Sequence, residues 1–140
     1  MSCSVRNTLT TYSQIERIKA EVEQAATAQL HAGDARTALS RYTDDAVAVT
    51  NTEVFSSREL LGVNIGEYYR SLEKVNHASW EDIHIQVLDE SAATFSARFT
   101  YGFTGNDGKT TNLKGVWTAL FVLDRGSWKI RLRHESFQET

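Results

Sequence analysis

His134 and Glu135 stand side by side near the end of the chain, and both side chains are of types that move protons. An imidazole with its ordinary pKa near ~6.5 serves as acid or base at neutral pH. A carboxylate in a hollow shielded from water, with a cation beside it, stays ionised and can accept a proton from a polarised substrate. On a regular strand the two residues face opposite sides, so only one of them can serve a given pocket. Aromatic residues are plentiful. Tyr42, Tyr69, Tyr101, Trp117 and Phe121, with Trp80 and Trp128, could wall an apolar pocket, although rings that fill a core are the commoner case. Tyr42 and Tyr69 are the stronger pocket candidates, because both fall on helices expected to roof a sheet.

Other chemistries find no support in the spacing. His31, His77, His84 and His134 fall in separate segments without paired-ligand spacing, so no metal site is expected. No phosphate loop, GxSxG turn or cysteine nucleophile is present, and no cofactor is implied. Asp44-Asp45 resembles paired catalytic carboxylates, but a polar turn ahead of a strand accounts for it. A net charge of −3 gives no electrostatic footprint for nucleic acid or an anionic membrane. No apolar run is long enough to span a bilayer. Cys3 is the only cysteine, so no internal disulfide can form; with no signal peptide in view, the expected location is cytoplasmic.

The elements that must position these residues follow from periodicity. Residues 1–12 read as a mobile leader and 13–138 as one domain. A first helix, Ser13 to His31, carries an apolar stripe of Ile15, Ile18, Val22, Ala25, Ala26 and Leu30, with Thr11 or Ser13 as its cap. Gly33 and Asp34 stop it and open a second helix over 35–42. A strand at 46–49 and a small arm at 51–55 lead to a third helix beginning at Arg58. Its expected buried stripe is Leu60, Leu61, Ile65, Tyr68, Tyr69 and Leu72. The rest is strand: 77–88, 93–103, and a hairpin over 113–137 that turns at Asp124-Arg125-Gly126-Ser127. Three helices followed by a meander predict an α+β fold, with helices packed on one face of a curved, mainly antiparallel sheet and a hollow on its concave side. The last hairpin leaves a question open. With a two-residue loop, Trp117 lies opposite His134. With a three-residue bulged loop the parity flips, and His134 joins Thr118 and Val116. The apolar alternation of Trp128, Ile130 and Leu132 favours His134 on the inside.

The run LHAGD, then ALSRYTDDAVAVT, a third helix, and a meander closing on WKIRLRHES resemble the nuclear transport factor 2-like superfamily, over roughly Ser13 to Phe137. Its SnoaL-like cyclases, ketosteroid isomerases and the calcium/calmodulin-dependent kinase II association domain share this order. The resemblance implies a cone-shaped, cystatin-like roll, a pocket for a small organic ligand inside the cone, and a homodimer through the outer sheet face. The isomerase base would fall near Thr50 and its oxyanion tyrosine at Ala26. Neither residue can do that chemistry, so the isomerase mechanism looks excluded. The acid/base carboxylate of SnoaL-like cyclases lies in the last strand, where Glu135 is the nearest match. The association domain directs arginines into its pocket, and Arg98 resembles one of them, which makes an Arg98–Glu135 pair an expectation. An ordinary ion pair on a solvated sheet face is the competing account. The expected function is small-molecule binding of the SnoaL-like type, as a cyclase, isomerase or dehydratase acting on a carbonyl compound. Glu135 or His134 would move the proton and Arg98 would steady the oxyanion. The alternative is a non-catalytic association or ligand-sensing module.

Overall fold

The structure, a computed structural model, describes residues 11–140. Most of the expected leader therefore lies outside the described residues. Helix α1 spans Tyr12–Leu30 and opens with a capping box: the Thr11 hydroxyl accepts from the Gln14 N–H, and the Gln14 side chain accepts from the Thr11 N–H. Asp34 caps the short α2, Ala35–Ser40, and Ser57 caps α3, Arg58–Ser71. The strands are β1 Tyr42–Thr50, β2 Glu53–Phe55, β3 Leu72–Asp89, β4 Ala92–Gly105, β5 Thr110–Asp124 and β6 Ser127–Glu139. They form one sheet in the order β2-β1-β6-β5-β4-β3, antiparallel except where β1 runs parallel to β6. The fold is α+β, a cone in which three helices pack on a curved sheet.

Tyr42 and Leu60 differ from expectation. Tyr42 opens β1 rather than closing α2, because the backbone there turns to pair with β6: the Ile130 N–H donates to the Arg41 carbonyl at 2.9 Å, and Tyr42 lies beside Ile130. Leu60 stands 49% exposed, since the buried stripe of α3 runs through Leu61 and Ile65 with Tyr68 and Tyr69 below them.

The core lies between α1 and the concave face. Ile18, Val22 and Ala26 of α1 share one buried cluster with rings from β4 and β5. Large and small side chains alternate across these strands. Phe95 lies opposite Ala119, Trp117 opposite Ala97, and Phe121 opposite Ala93, so each ring occupies space that its neighbour leaves free. Trp128 is only partly buried; its indole N–H donates to Glu21 on α1 at 2.9 Å, tying the start of β6 to the helix.

The parity question is resolved by two features acting together. The β5–β6 turn has two central residues, Arg125 and Gly126, both at positive φ (54° and 84°), the mirror-image geometry that suits a two-residue hairpin. From that turn the register runs regularly to Phe121 opposite Ile130. Leu120 then pairs with Leu132, so Arg131 is an extra residue, a β-bulge. Beyond it the faces are exchanged. Thr118 lies opposite His134 and Trp117 opposite Glu135, and Leu132, which the apolar alternation placed inside, is 46% exposed.

Phe95 is fully buried at the centre of this core. Phe95→Ala should lower unfolding free energy by about 3–5 kcal/mol, the range for truncating a buried ring, as measured by chemical denaturation. A change near zero would mean that the core collapses to fill the space.

Candidate active site

The bulge brings Arg133, Glu135 and Phe137 onto the concave face, continuing the inward side begun by Ile130. Cross-strand pairing then sets Glu53, Thr50, Glu135, Trp117 and Ala97 in one row across β2, β1, β6, β5 and β4. Helix α3 roofs this row with Tyr68 and Tyr69. The hollow has a volume of about 650 Å³ and is partly open to solvent. Trp80, Phe99, Tyr101, Phe103 and Phe137 complete its aromatic walls.

Two polar groupings interrupt the aromatic lining. In the first, Arg133 is 7% exposed. Its Nη2 donates to the Thr50 hydroxyl at 2.6 Å, its Nη1 faces the Tyr42 hydroxyl at 3.4 Å, and the same Nη1 lies 3.5 Å from the Glu135 carboxylate. Its Nε is buried without a partner. A buried cation needs such neighbours, because desolvation otherwise outweighs every local gain. The Glu135 side chain is 22% exposed, so it reaches the hollow while its charge is steadied from behind. Asn51, at φ 48°, locks the adjacent turn: its N–H donates to the Glu135 carbonyl at 3.0 Å, and its side-chain oxygen accepts from the Phe137 N–H at 3.0 Å.

The second grouping is a hydroxyl pair, Tyr68 and Tyr101, 2.6 Å apart. Tyr68 stands edge-on to Tyr69 and Phe103, with ring centres 4.9 and 5.7 Å away, which fixes where its hydroxyl points. Burial raises the pKa of Tyr68, and its bond to Tyr101 adds to the shift. Burial likewise raises Tyr101, with the Glu135 charge acting in the same direction. Tyr69 is pushed up to about 12 by burial and then by the neighbouring Tyr101. Burial raises Tyr42 as well, opposed by the positive charge of Arg133. All four are neutral hydrogen-bonding groups at ordinary pH.

The structure separates the residues singled out in the sequence. Glu135, Tyr42, Tyr69, Tyr101 and Trp117 line the hollow. Phe121 does not; at 1% exposure it is packed within the core. His134 faces the other side of the sheet and is exposed, an orientation set by the bulge. Arg98 also points outward, because it lies one residue from both Ala97 and Phe99, which face inward. Its side chain is 64% exposed and 3.8 Å from Asp82, so the expected Arg98–Glu135 pair is not formed. Glu135 takes Arg133 as its partner instead. Sequence reasoning missed Arg133, Tyr68 and Thr50 as members of the site. One available signal pointed to Arg133: a strand that aims Glu135 inward aims the residue two before it inward as well. Among the described residues, no three His, Cys, Asp or Glu side chains gather as a metal site, and no helix is long and apolar enough to cross a membrane.

The SnoaL-like domain family matches residues 18–139. The chain belongs to that family. No curated protein matches this SnoaL-like chain by sequence, so further likeness comes from solved structures. A Novosphingobium aromaticivorans protein provisionally named scytalone dehydratase superposes with a TM-score of 0.82 at 12% identity, covering 93% of this chain and 89% of that one. A ketosteroid isomerase-like protein from Erwinia carotovora atroseptica gives 0.70 at 18% identity, covering 84% and 94%. A Xanthomonas campestris protein provisionally named a calcium/calmodulin-dependent protein kinase II association domain gives 0.71 at 20% identity, covering 87% and 86%. At these identities the likeness establishes the nuclear transport factor 2-like fold.

Two outcomes are expected from this geometry. Arg133→Met leaves the Thr50 hydroxyl and the Glu135 carboxylate without their donor and should cost about 2 kcal/mol of stability, as for a lost hydrogen bond to a charged group; thermal and urea unfolding check it. The tyrosines set an alkaline limit. At neutral pH they are protonated in folded and unfolded chains alike, so their full contribution is present. Above the ordinary tyrosine value near ~10 the unfolded chain gives up protons that the folded chain retains, and stability falls. The decline should continue through the raised folded values, to about 12 for Tyr69. Urea denaturation at stepped alkaline pH should show a shallower decline for Tyr69→Phe than for the unaltered chain.

Proposed function

We propose that this SnoaL-like protein binds a small carbonyl compound inside the cone and moves a proton on it. The observation that carries this reading is the Glu135 carboxylate, paired with buried Arg133, facing the same aromatic hollow as a pair of neutral phenols. In the reaction, Glu135 takes a proton from the carbon beside the carbonyl. The electron pair left behind shifts onto the carbonyl oxygen, and the Tyr68–Tyr101 pair donates a hydrogen bond to that oxyanion. Returning the proton to another carbon completes an isomerisation. Loss of a hydroxyl from the adjacent carbon, with that proton, completes a dehydration. Arg133 holds the carboxylate in place, and the aromatic walls keep water from the enolate. His134 and Arg98 have no part in this scheme. The dehydratase and isomerase names among the structural relatives agree with it as analogy.

The test is deuterium uptake at the α-carbon of a panel of cyclic and aromatic ketones, followed by NMR. Glu135→Gln should slow exchange by about 100-fold or more, the usual contribution of a positioned base. Tyr101→Phe should slow it with less effect on ligand binding. Equal exchange rates with and without the protein across the panel would remove the catalytic reading.

The reading includes a homodimer through the outer sheet face and, from the single cysteine, a cytoplasmic setting. Val116 and Leu132 are 51% and 46% exposed on that face, an arrangement that a second copy would cover. This surface is also the observation that favours an association module. Light scattering at micromolar concentration should give the mass of a dimer; a monomer would remove this part of the proposal.

A further inference from the structure

The charges around the hollow are unbalanced. Its lining contains one guanidinium, Arg133, and three carboxylates, Glu53, Glu135 and Glu139. Register explains why all three face the same way. Glu53 lies opposite Thr50, Thr50 lies beside Glu135, and Glu139 follows Glu135 by four residues on a stretch of β6 whose pairing to β5 is regular. Arg133 is buried behind Glu135 and committed to it, to Thr50 and to Tyr42. That pair nearly cancels at a distance. Glu53 and Glu139 do not cancel. Both are exposed while lining the hollow, so they sit at its rim, and among the described residues neither enters an ion pair.

The walls inside that rim are aromatic. Trp80, Trp117, Tyr101 and Phe137 line the hollow, and aromatic rings attract organic cations, the more so where water is excluded. The tyrosines retain their protons, so no phenolate competes for the role of anion. An anionic ligand would meet uncompensated negative charge at the rim and find the single guanidinium buried, with both Nη atoms engaged by Tyr42, Thr50 and Glu135. A cleft lined by one sign of charge concentrates ligands of the opposite sign.

We infer that the ligand of this hollow carries a protonated amine, drawn to the rim by the charges of Glu53 and Glu139 and packed against the aromatic walls, while its uncharged end reaches toward Glu135. This inference rests on reading the hollow as the ligand site. It narrows the substrate class to amino-bearing carbonyl compounds and sets acidic ones aside.

Three probes of one shape and different charge test it on the full chain: phenethylamine, phenethyl alcohol and phenylacetate, titrated calorimetrically at neutral pH and low salt. The amine should bind about tenfold more tightly than the alcohol, a difference of about 1.4 kcal/mol, and phenylacetate should bind most weakly. The double variant Glu53→Gln with Glu139→Gln, altering two exposed side chains, should remove most of the amine's advantage without changing the alcohol's affinity. Added salt should erode the same advantage. Equal binding of amine and alcohol overturns the charge preference and leaves the ligand-site reading standing. An amine preference that survives the double variant overturns the assignment to Glu53 and Glu139. No binding by any of the three overturns the inference and the ligand-site reading together.

Discussion

In a strand the direction of a side chain is a binary quantity, and one inserted residue reverses it for everything that follows. Arg131 is that residue here. Up to Ile130, β6 is in register with a two-residue turn; from Leu132 onward every side chain faces the opposite way to what that turn alone would dictate. The composition of the hollow follows from this. Without the bulge, His134 and Leu132 would occupy the concave face, and Arg133 and Glu135 would stand on the outside with Lys129. With it, the cone contains an acid–base side chain and the cation that holds it.

Bringing a guanidinium inside is costly, and the neighbourhood is built to meet that cost. Thr50 and Tyr42 come from β1, the strand that runs parallel to β6, and Glu135 comes from β6 itself. The β1–β6 ladder therefore does more than extend the sheet. It supplies polar partners from both of its strands to one buried charge. Asn51 extends the pairing by a residue after β1 has ended, and it holds the backbone of Glu135 and Phe137 where the hollow opens.

Much of the fold was legible in the sequence because it depends on local pattern. The apolar stripe of α1, the capping serine of α3, and the alternation of Phe95, Ala97, Phe99 and Tyr101 each follow from a period that neighbouring residues share. The site was less legible because it depends on pairings distant in sequence. Tyr42 belongs to β1 because β6, nearly ninety residues later, offers it a partner. The bulge carries no mark in composition: Arg131 and Leu132 look like ordinary alternation. The family resemblance aimed Glu135 inward while the apolar pattern aimed it outward, and the resemblance agreed with the structure. It served less well for Arg98, since a guanidinium in a similar context lies one residue out of phase here. Tyr68 was read as core, and its hydroxyl bond to Tyr101 requires knowing how α3 lies over β4.

The parallel pairing of β1 with β6 also bears on how the molecule is made. The strands β3 to β6 form successive hairpins, each able to close between neighbours in the chain. The β1–β6 ladder joins residues 42–50 to residues 130–135, and α3 and four strands, β2 to β5, lie between them in the chain. Loop-closure entropy makes such long-range contacts slow relative to local ones. Chain entropy therefore favours completing the meander before β1 finds its place. Thr50 and Tyr42 arrive with that last strand, so Arg133 is without its partners from β1 until folding is nearly finished. The pocket is then the final part of the molecule to take shape, and a chain arrested short of this step retains most of its sheet but lacks a site.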